Sequence, residues 1–443
     1  MSVDREPEPS QTIVDDATCT FCGCLCDDIA LSIAGDRITA ARNACGLGES
    51  WFFGLADKQE PPCLIDGMPA SLDDGIERAV QILNEATYPL ILGFCETTTE
   101  AQRAAVSIGD WIGACVDLAH SESHGPVVLA FQEVGEVTCT LGEVKNRGDL
   151  ILFWGCDPVE SHPRHLSRYS LEPAGQFVQR GREDRFCVVV DVQETATARM
   201  ADQFLAIKPG KEFEALWTLR ALAKGVELDA ALIEDETGVS LSSWRALMDR
   251  MKRARYGVIF TEPGQTTTFD THQTSHALLA LVRDMNAHAR FVCVPMGGPG
   301  NVTGAENVLT WQTGYPFAVN LARGYPRFGP GEYTAADALG RGEADAALII
   351  ADDPMSHLAL SAREHLTRVP TVVLDFRDTA TTKIATVSFR TAVYGVNTSG
   401  TVYRADGVTI PLRAALLSTR PSDEEVLKRI ERRVREMKAA TSL

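Results

Sequence analysis

The chain has 443 residues, 45% of them hydrophobic and 23% charged, with a formal net charge of -18. That composition suits two or three buried cores and excludes bulk disorder. The acidic balance excludes nucleic acid and an anionic membrane surface as partners, because either needs a basic face. The first 16 residues are charged and contain proline without an apolar run, and stretches such as 88–95 and 346–351 are too short to cross a bilayer. A soluble, cytoplasmic protein is expected.

Five of the twelve cysteines fall within the first 45 residues: Cys19, Cys22, Cys24, Cys26 and Cys45. Cys19, Cys22 and Cys26 are separated by two and three residues, and Cys45 follows after eighteen more. Short spacings let successive thiolates converge on one soft-metal centre, and a distant fourth closes the shell; a cubane iron-sulfur cluster and a tetrahedral zinc are both satisfied. Cys24 reads as packing. Residues 27–45 alternate apolar and polar around Gly35-Asp36, which predicts a β-hairpin that returns Cys45 to the other three. The remaining cysteines, Cys95, Cys115, Cys187 and Cys293 among them, lie in or beside apolar segments and read as small buried hydrophobes.

Strands and helices then alternate. The periodicity predicts helices over 72–86, 100–111, 211–225, 241–255 and 271–289, and strands over 88–95, 149–158, 185–195, 256–264, 291–295, 345–354 and 371–376. A glycine-rich loop is expected at 297–304. Continuous apolar strands between helices predict parallel sheets covered on both faces. One internal echo stands out. DLILFWGCDP (149–158) and DAALIIADDP (345–354) both open on Asp and close on Asp-Pro, and each leads to an apolar strand ending in Asp, at Asp191 and Asp375. A carboxylate at such a strand end can read a ribose or base at a doubly wound sheet's ligand edge, or simply cap a helix. The echo predicts an α/β protein with two Rossmann-like parallel-sheet domains behind a Cys-rich subdomain at 1–61. The expected division is a discontinuous α/β domain at 62–145 and 255–443 with an inserted domain at 146–254.

SHGPVVLAFQEVGEVTCTLGEVKNRGDLILFWGCDPVESHPRHLSRYS (123–170) resembles the corresponding region of the B subunit of formylmethanofuran dehydrogenase, within the molybdopterin oxidoreductases. CTFCGCLCDDI (19–29), GREDRFCVVVDVQET (181–195), IKPG (207–210), WQTGYPFAVN (311–320) and GTVYRADG (400–407) resemble it too. The resemblance implies the molybdopterin oxidoreductase fold without its C-terminal cofactor-capping domain. It also implies a [4Fe-4S] cluster on Cys19, Cys22, Cys26 and Cys45, and a bis-pterin guanine dinucleotide carrying tungsten or molybdenum. Gly155, Asp157, Asp191 and Gly210 match the dinucleotide positions. The implied partners are an amidohydrolase-like A subunit, a C subunit and a formyltransferase-like D subunit, as in the bacterial formyltransferase/hydrolase complex of one-carbon metabolism.

Several positions depart from the family pattern. The family sets a metal-ligating cysteine before His-Gly-Pro, where this chain has Ser123 ahead of His124, Gly125 and Pro126. The family's Met-Arg-Gly-His loop is Met296-Gly297-Gly298-Pro299 here, so Gly297 stands where an active-site arginine is expected. Serine is a poorer donor than thiolate to tungsten or molybdenum, and glycine cannot neutralise an oxyanion. The usual Asn-Pro is Asp157-Pro158, a carboxylate set near phosphates, and the usual Asp-Pro-Arg is Asp191-Val192-Gln193, a lost phosphate contact. The expectation is a degenerate site at Ser123 and His124 with a lost or vestigial pterin cofactor, in a scaffold subunit most like that of the bacterial complex. A working dehydrogenase subunit that reduces carbon dioxide to formate, and an electron-transfer module using the cluster alone, are the alternatives. His162, Arg164, His165 and Arg168 read as a basic loop for phosphates or a subunit contact, and Arg180, Arg182 and Arg185 as a solvated or interfacial face.

Overall fold

A computed structural model describes residues 11–54, 61–119, 121–262 and 271–441. By the contacts within it the chain divides into two compact units, one of residues 1–121, 299–404 and 409–443, the other of 122–298 and 405–408.

The second unit is built on five parallel strands in the spatial order Gln203–Ala206, Phe186–Asp191, Leu150–Trp154, Tyr256–Thr261, Arg290–Pro295. The chain leaves the first of these strands, Leu150–Trp154, in one direction and returns to its other side at Tyr256. This is a doubly wound sheet with its switch point between those two strands. Helices Glu212–Ala223, Leu241–Arg253 and Thr271–Met285 supply apolar faces to its core, where Leu216, Trp244 and Leu281 are fully buried. Gly257 has a packing reason: it pairs in register with Phe291, and a Cβ there would lie 2.2 Å from the Phe291 ring.

The first unit has a nine-stranded sheet. Its centre is parallel, in the order Cys115–Leu118, Pro89–Gly93, Ala346–Ile350, Thr371–Asp375, Val387–Arg390. Short antiparallel strands extend both edges, Val319–Asn320 with Arg327–Phe328 at one and Cys63–Ile65 with Met68–Ala70 at the other. Helix Leu72–Glu85 starts where the Ser71 side chain accepts from the Asp74 amide, and it buries Ile76, Ala79, Val80 and Leu83 on one face. The cysteine-rich region carries three antiparallel strands, Gln11–Ala17, Ile29–Ala34 and Arg37–Arg42. The expected hairpin turns at Gly35, whose φ of 63° suits a residue without Cβ; the outer strand Gln11–Ala17 was not foreseen.

The boundaries differ from those expected. The inserted unit runs from 122 to 298 rather than 146 to 254. Tyr256–Thr261 and Arg290–Pro295 hydrogen-bond into its sheet as the far half of the double winding. Asp191 and Asp375 end strands of different sheets. The described residues among 1–61 cluster with the first unit. The expected loop at 297–304 is already helical from Val302, in the helix Val302–Thr313.

Candidate functional site

The internal echo is a repeated hydrogen-bonded device. In the second unit Gly155 follows the strand at φ 58° and its amide donates to Val190; in the first, Ala351 takes the same place at φ 48° and donates to Leu374. Asp157 and Asp353 each precede a helix-starting proline with nearly the same backbone angles. The Asp157 carboxylate accepts from the amides of Ala196 (3.1 Å) and Thr197 (3.0 Å) and from the Thr197 hydroxyl. The Asp353 carboxylate accepts from the Thr381 amide (2.9 Å) and hydroxyl (2.5 Å). Both threonine hydroxyls accept in turn from an amide of the short helix, that of Val159 or Met355, at 3.2 Å. Asp157 is therefore engaged by its own fold. Sequence reading missed Thr197 and Thr381, although Thr-Ala-Thr recurs at the same offset from Asp191 and Asp375.

At the carboxyl edge of the second unit's sheet lies a cavity of about 390 Å³. Gly155, Asp157 and Asp191 line it, and Gly210 does not, although Gly210 has the positive φ (73°) of a tight turn. Six carboxylates line the cavity, from Glu136, Asp157, Glu160, Asp191, Glu212 and Glu262, and no lysine, arginine or histidine is among its described walls. Burial pushes the Asp191 carboxyl above its ordinary range. A diphosphate here would meet like charge without a counter-ion, so the donor set does not fit a phosphate-bearing dinucleotide.

Ser123 and His124 are half-buried in the first turn of the helix Ser121–Val134, which carries Pro126 in its interior. Gly297 has a φ of 75°. Its carbonyl oxygen lies 3.1 Å from Nε2 of the His162 ring. Burial lowers the His162 pKa and holds His165 down at about 3. Both rings are at most 3% exposed. The expected basic loop thus contributes two neutral, buried imidazoles, with His165 edge-on to the Phe260 ring at 4.6 Å between centroids. Arg185 is also corrected: it is 4% exposed and donates to the carbonyls of Lys145, Gly148, Leu171 and Pro173. Four carbonyls around one guanidinium make it a staple of the interior. Arg180 and Arg182 stay at the surface, paired with Asp184 and Asp202.

The four expected ligand cysteines lie in the first unit. The Cys19 amide donates to the Cys26 carbonyl at 2.9 Å, closing the loop between them. Cys45 caps the helix Gly46–Phe53, its Sγ accepting from the Gly48 amide at 3.5 Å. A Cβ on Gly48 would lie 3.3 Å from the Cys19 sulfur and 3.8 Å from that of Cys45, so the two sulfurs flank the space that this glycine leaves open. Burial pushes the Cys19 thiol up, and Cys22, Cys26 and Cys45 push it further by charge. Cys24, 2% exposed, hydrogen-bonds to Cys22 and lowers its pKa. Among the described residues no group of three or more Cys, His, Asp or Glu closes on a single ion. Cys95, Cys115, Cys187 and Cys293 are buried, as expected, each at most 2% exposed.

No family model matches the chain. The chain is 41% identical over 434 residues to the B subunit of tungsten-containing formylmethanofuran dehydrogenase 2 from Methanocaldococcus jannaschii, covering 96% of this chain and 99% of that one. It is 26% identical over 290 residues to the B subunit of the formyltransferase/hydrolase complex from Methylorubrum extorquens, covering 66% and 74%. The crystal structure of that formyltransferase/hydrolase complex with methylofuran contains a similar fold, with a TM-score of 0.69 at 24% identity, over 85% of this chain and 99% of that one. The identities rank the dehydrogenase relative above the bacterial one, the reverse of what the substituted site residues suggest. With two fifths of its residues shared along nearly its whole length, the chain belongs to the family of formylmethanofuran dehydrogenase B subunits.

Proposed function

We propose that this chain serves as the B subunit of a formyl-handling complex in one-carbon metabolism and acts there as a scaffold, without tungsten or molybdenum chemistry of its own. Gly297 carries the reading. At φ 75° its backbone occupies a region that side chains rarely adopt, and its carbonyl faces His162 at 3.1 Å. An arginine could therefore not occupy this position without strain. Losing one oxyanion-stabilising donor costs ~3–4 kcal/mol of transition-state stabilisation, by analogy with oxyanion-hole deletions. Ser123 adds a poorer metal donor, and the carboxylate-lined cavity adds a poor fit for a dinucleotide.

The cysteines support a different outcome at the other site. Tetrahedral zinc needs thiolate sulfurs ~3.8 Å apart, given Zn–S bonds of about 2.3 Å. A cubane spreads its four ligands wider, one per iron. The spacing of the four cysteines and the charge influence of Cys22, Cys26 and Cys45 on Cys19 support the cubane, which Cys19, Cys22, Cys26 and Cys45 would hold. The Gly48 amide donating to the Cys45 sulfur would then help to set the cluster's potential. The remaining subunits, of amidohydrolase-like, formyltransferase-like and C type, would be its cytoplasmic partners.

A second reading, a working dehydrogenase subunit with a serine-ligated metal, is favoured by the 41% identity to a tungsten-containing relative. Identity spread over the whole chain records ancestry; the chemistry depends on the few positions that have changed. Elemental analysis of the purified complex, together with dye-linked formate oxidation, separates the two. The scaffold reading expects iron without stoichiometric tungsten or molybdenum and no formate oxidation. Metal at stoichiometry with dye-linked turnover overturns it.

A further inference from the structure

A second cavity, of about 550 Å³, lies in the first unit. It sits at the amino end of the parallel strands, opposite the Asp353 clasp. Tyr88 directly precedes strand Pro89–Gly93, and Asn320 pairs with Cys115 at the start of Cys115–Leu118. The sheet delivers a guanidinium to this place. Arg327 pairs in register with Asn320, and its Nη2 donates to the Asn320 side-chain oxygen at 2.6 Å. Among the described residues that is its one side-chain hydrogen bond, and no carboxylate forms an ion pair with it, in a chain of net charge -18. Its Nε is buried without a partner. A buried donor left unpaired on a charged group costs free energy, which an acceptor from outside the chain would recover.

The neighbouring charges leave this guanidinium uncompensated. Arg341 and Glu343 neutralise one another through two bonds of 2.9 Å. Burial and the Glu332 carboxylate raise the Tyr333 hydroxyl above its ordinary pKa, while Arg327 and Arg323 act on it in the opposite sense. Arg323 is exposed and has no ion pair among the described residues. Three arginines therefore stand against two glutamates around this cavity.

We propose that the cavity binds a small monocarboxylate, with Arg327 as its counter-ion. A planar carboxylate matches the fork of guanidinium donors and supplies the missing acceptors. Arg327 lies 5.0 Å from the centroid of the Tyr333 ring, and that ring and Tyr88 offer apolar wall to the rest of the ligand. Glu332 and Glu343 repel a dianion about twice as strongly as a monoanion, which favours a carboxylate over phosphate. The volume falls within the range of small-molecule sites, roughly 300–1,000 Å³.

The test is saturation-transfer NMR on the full-length chain, purified with its partner subunits. Butyrate is the probe, and inorganic phosphate at matched ionic strength is the competitor. Butyrate is expected to receive saturation, and phosphate is expected not to displace it. Arg327→Gln should weaken butyrate binding at least tenfold. Glu332→Gln, a change at an exposed residue that removes a like charge from the wall, should tighten it at least twofold and keeps the test decisive if the arginine variant fails to fold. Arg253→Gln, exposed in the other unit, should change nothing, which separates the cavity from the overall charge of the chain. Absence of transfer to the unmodified complex overturns the proposal. So does displacement by phosphate, unchanged affinity in a folded Arg327→Gln variant, equal losses in Arg327→Gln and Arg253→Gln, or unchanged or weaker affinity in Glu332→Gln.

Discussion

Replacing Asp157 by alanine discriminates between two roles for this carboxylate. If it mainly faced a ligand, its loss would relieve charge crowding in the cavity and leave stability nearly unchanged. The structure assigns it three accepted hydrogen bonds, two of them from Thr197, which is fully buried. Each bond to a charged acceptor contributes about 1.5–3 kcal/mol, and a buried donor left unpaired costs about 1–3 kcal/mol. The bonds share one acceptor and the Ala196 amide can find water, so the contributions are not additive, and a net loss of ~2–4 kcal/mol is expected. For a unit of roughly 180 residues this lowers its melting temperature by roughly 4–16 °C. The chain has two compact units, so calorimetry should resolve which transition moves. Asp157→Ala should lower the transition of the unit spanning 122–298, and Asp353→Ala that of the other. A shift below about 0.5 kcal/mol for Asp157→Ala, with Asp353→Ala strongly destabilising, would refute the claim that the two devices are equivalent.

Other outcomes follow from the same geometry. Gly297→Arg should destabilise by about 1–2 kcal/mol, because a side chain is placed at a left-handed φ, and should confer no dye-linked formate oxidation; urea titration and a viologen assay check the two halves. Gly257→Ala should cost about 1–3 kcal/mol, since its Cβ would lie 2.2 Å from the Phe291 ring on the adjacent strand, a loss read by chemical denaturation. Cys45→Ser should remove iron from the complex and Cys24→Ser should leave it, as judged by iron content per chain. Asp117, fully buried, has its carboxyl pushed up to about 6 from an ordinary 3.8, chiefly by burial. A raised carboxyl favours the folded state while protonated, so this contribution is full below about pH 4 and is lost as pH rises through about 6. Asp117→Asn should flatten that part of the stability profile, which a pH series of denaturant titrations measures.

Most of the parallel strands were legible as apolar runs, and Leu150–Trp154 and Ala346–Ile350 appear within a few residues of their predicted limits. Cys115–Leu118, Gln203–Ala206 and Val387–Arg390 were missed, each being four residues long with a polar side chain in it. The short edge strands Val319–Asn320 and Arg327–Phe328 were not legible, because two residues carry no period. Helix Asp423–Thr441 also went unread: its charged surface obscures the apolar stripe of Val426, Leu427, Ile430 and Val434 that is buried in the structure. The domain boundary moved because strand-end aspartates mark where loops are pinned, and the second half of a doubly wound sheet need not repeat that mark. At the site, the residue types at 123 and 297 were readable, but the left-handed turn at Gly297 and the imidazole beside its carbonyl were not. Charge also misled the reading of Arg185, since nothing local announces four converging carbonyls.

The twin aspartate-threonine clasps have a consequence for how such a chain can change over time. Each pins the course of its strand-end loop through the chain's own amides and hydroxyls. Residues between the clasped points, such as Val192 and Gln193, can therefore be exchanged without the loop losing its path. A fold whose ligand edge is held this way can shed an inherited chemistry one substitution at a time while each successive sequence still folds. Its outer surface, and any association that depends on that surface, would persist through the exchange.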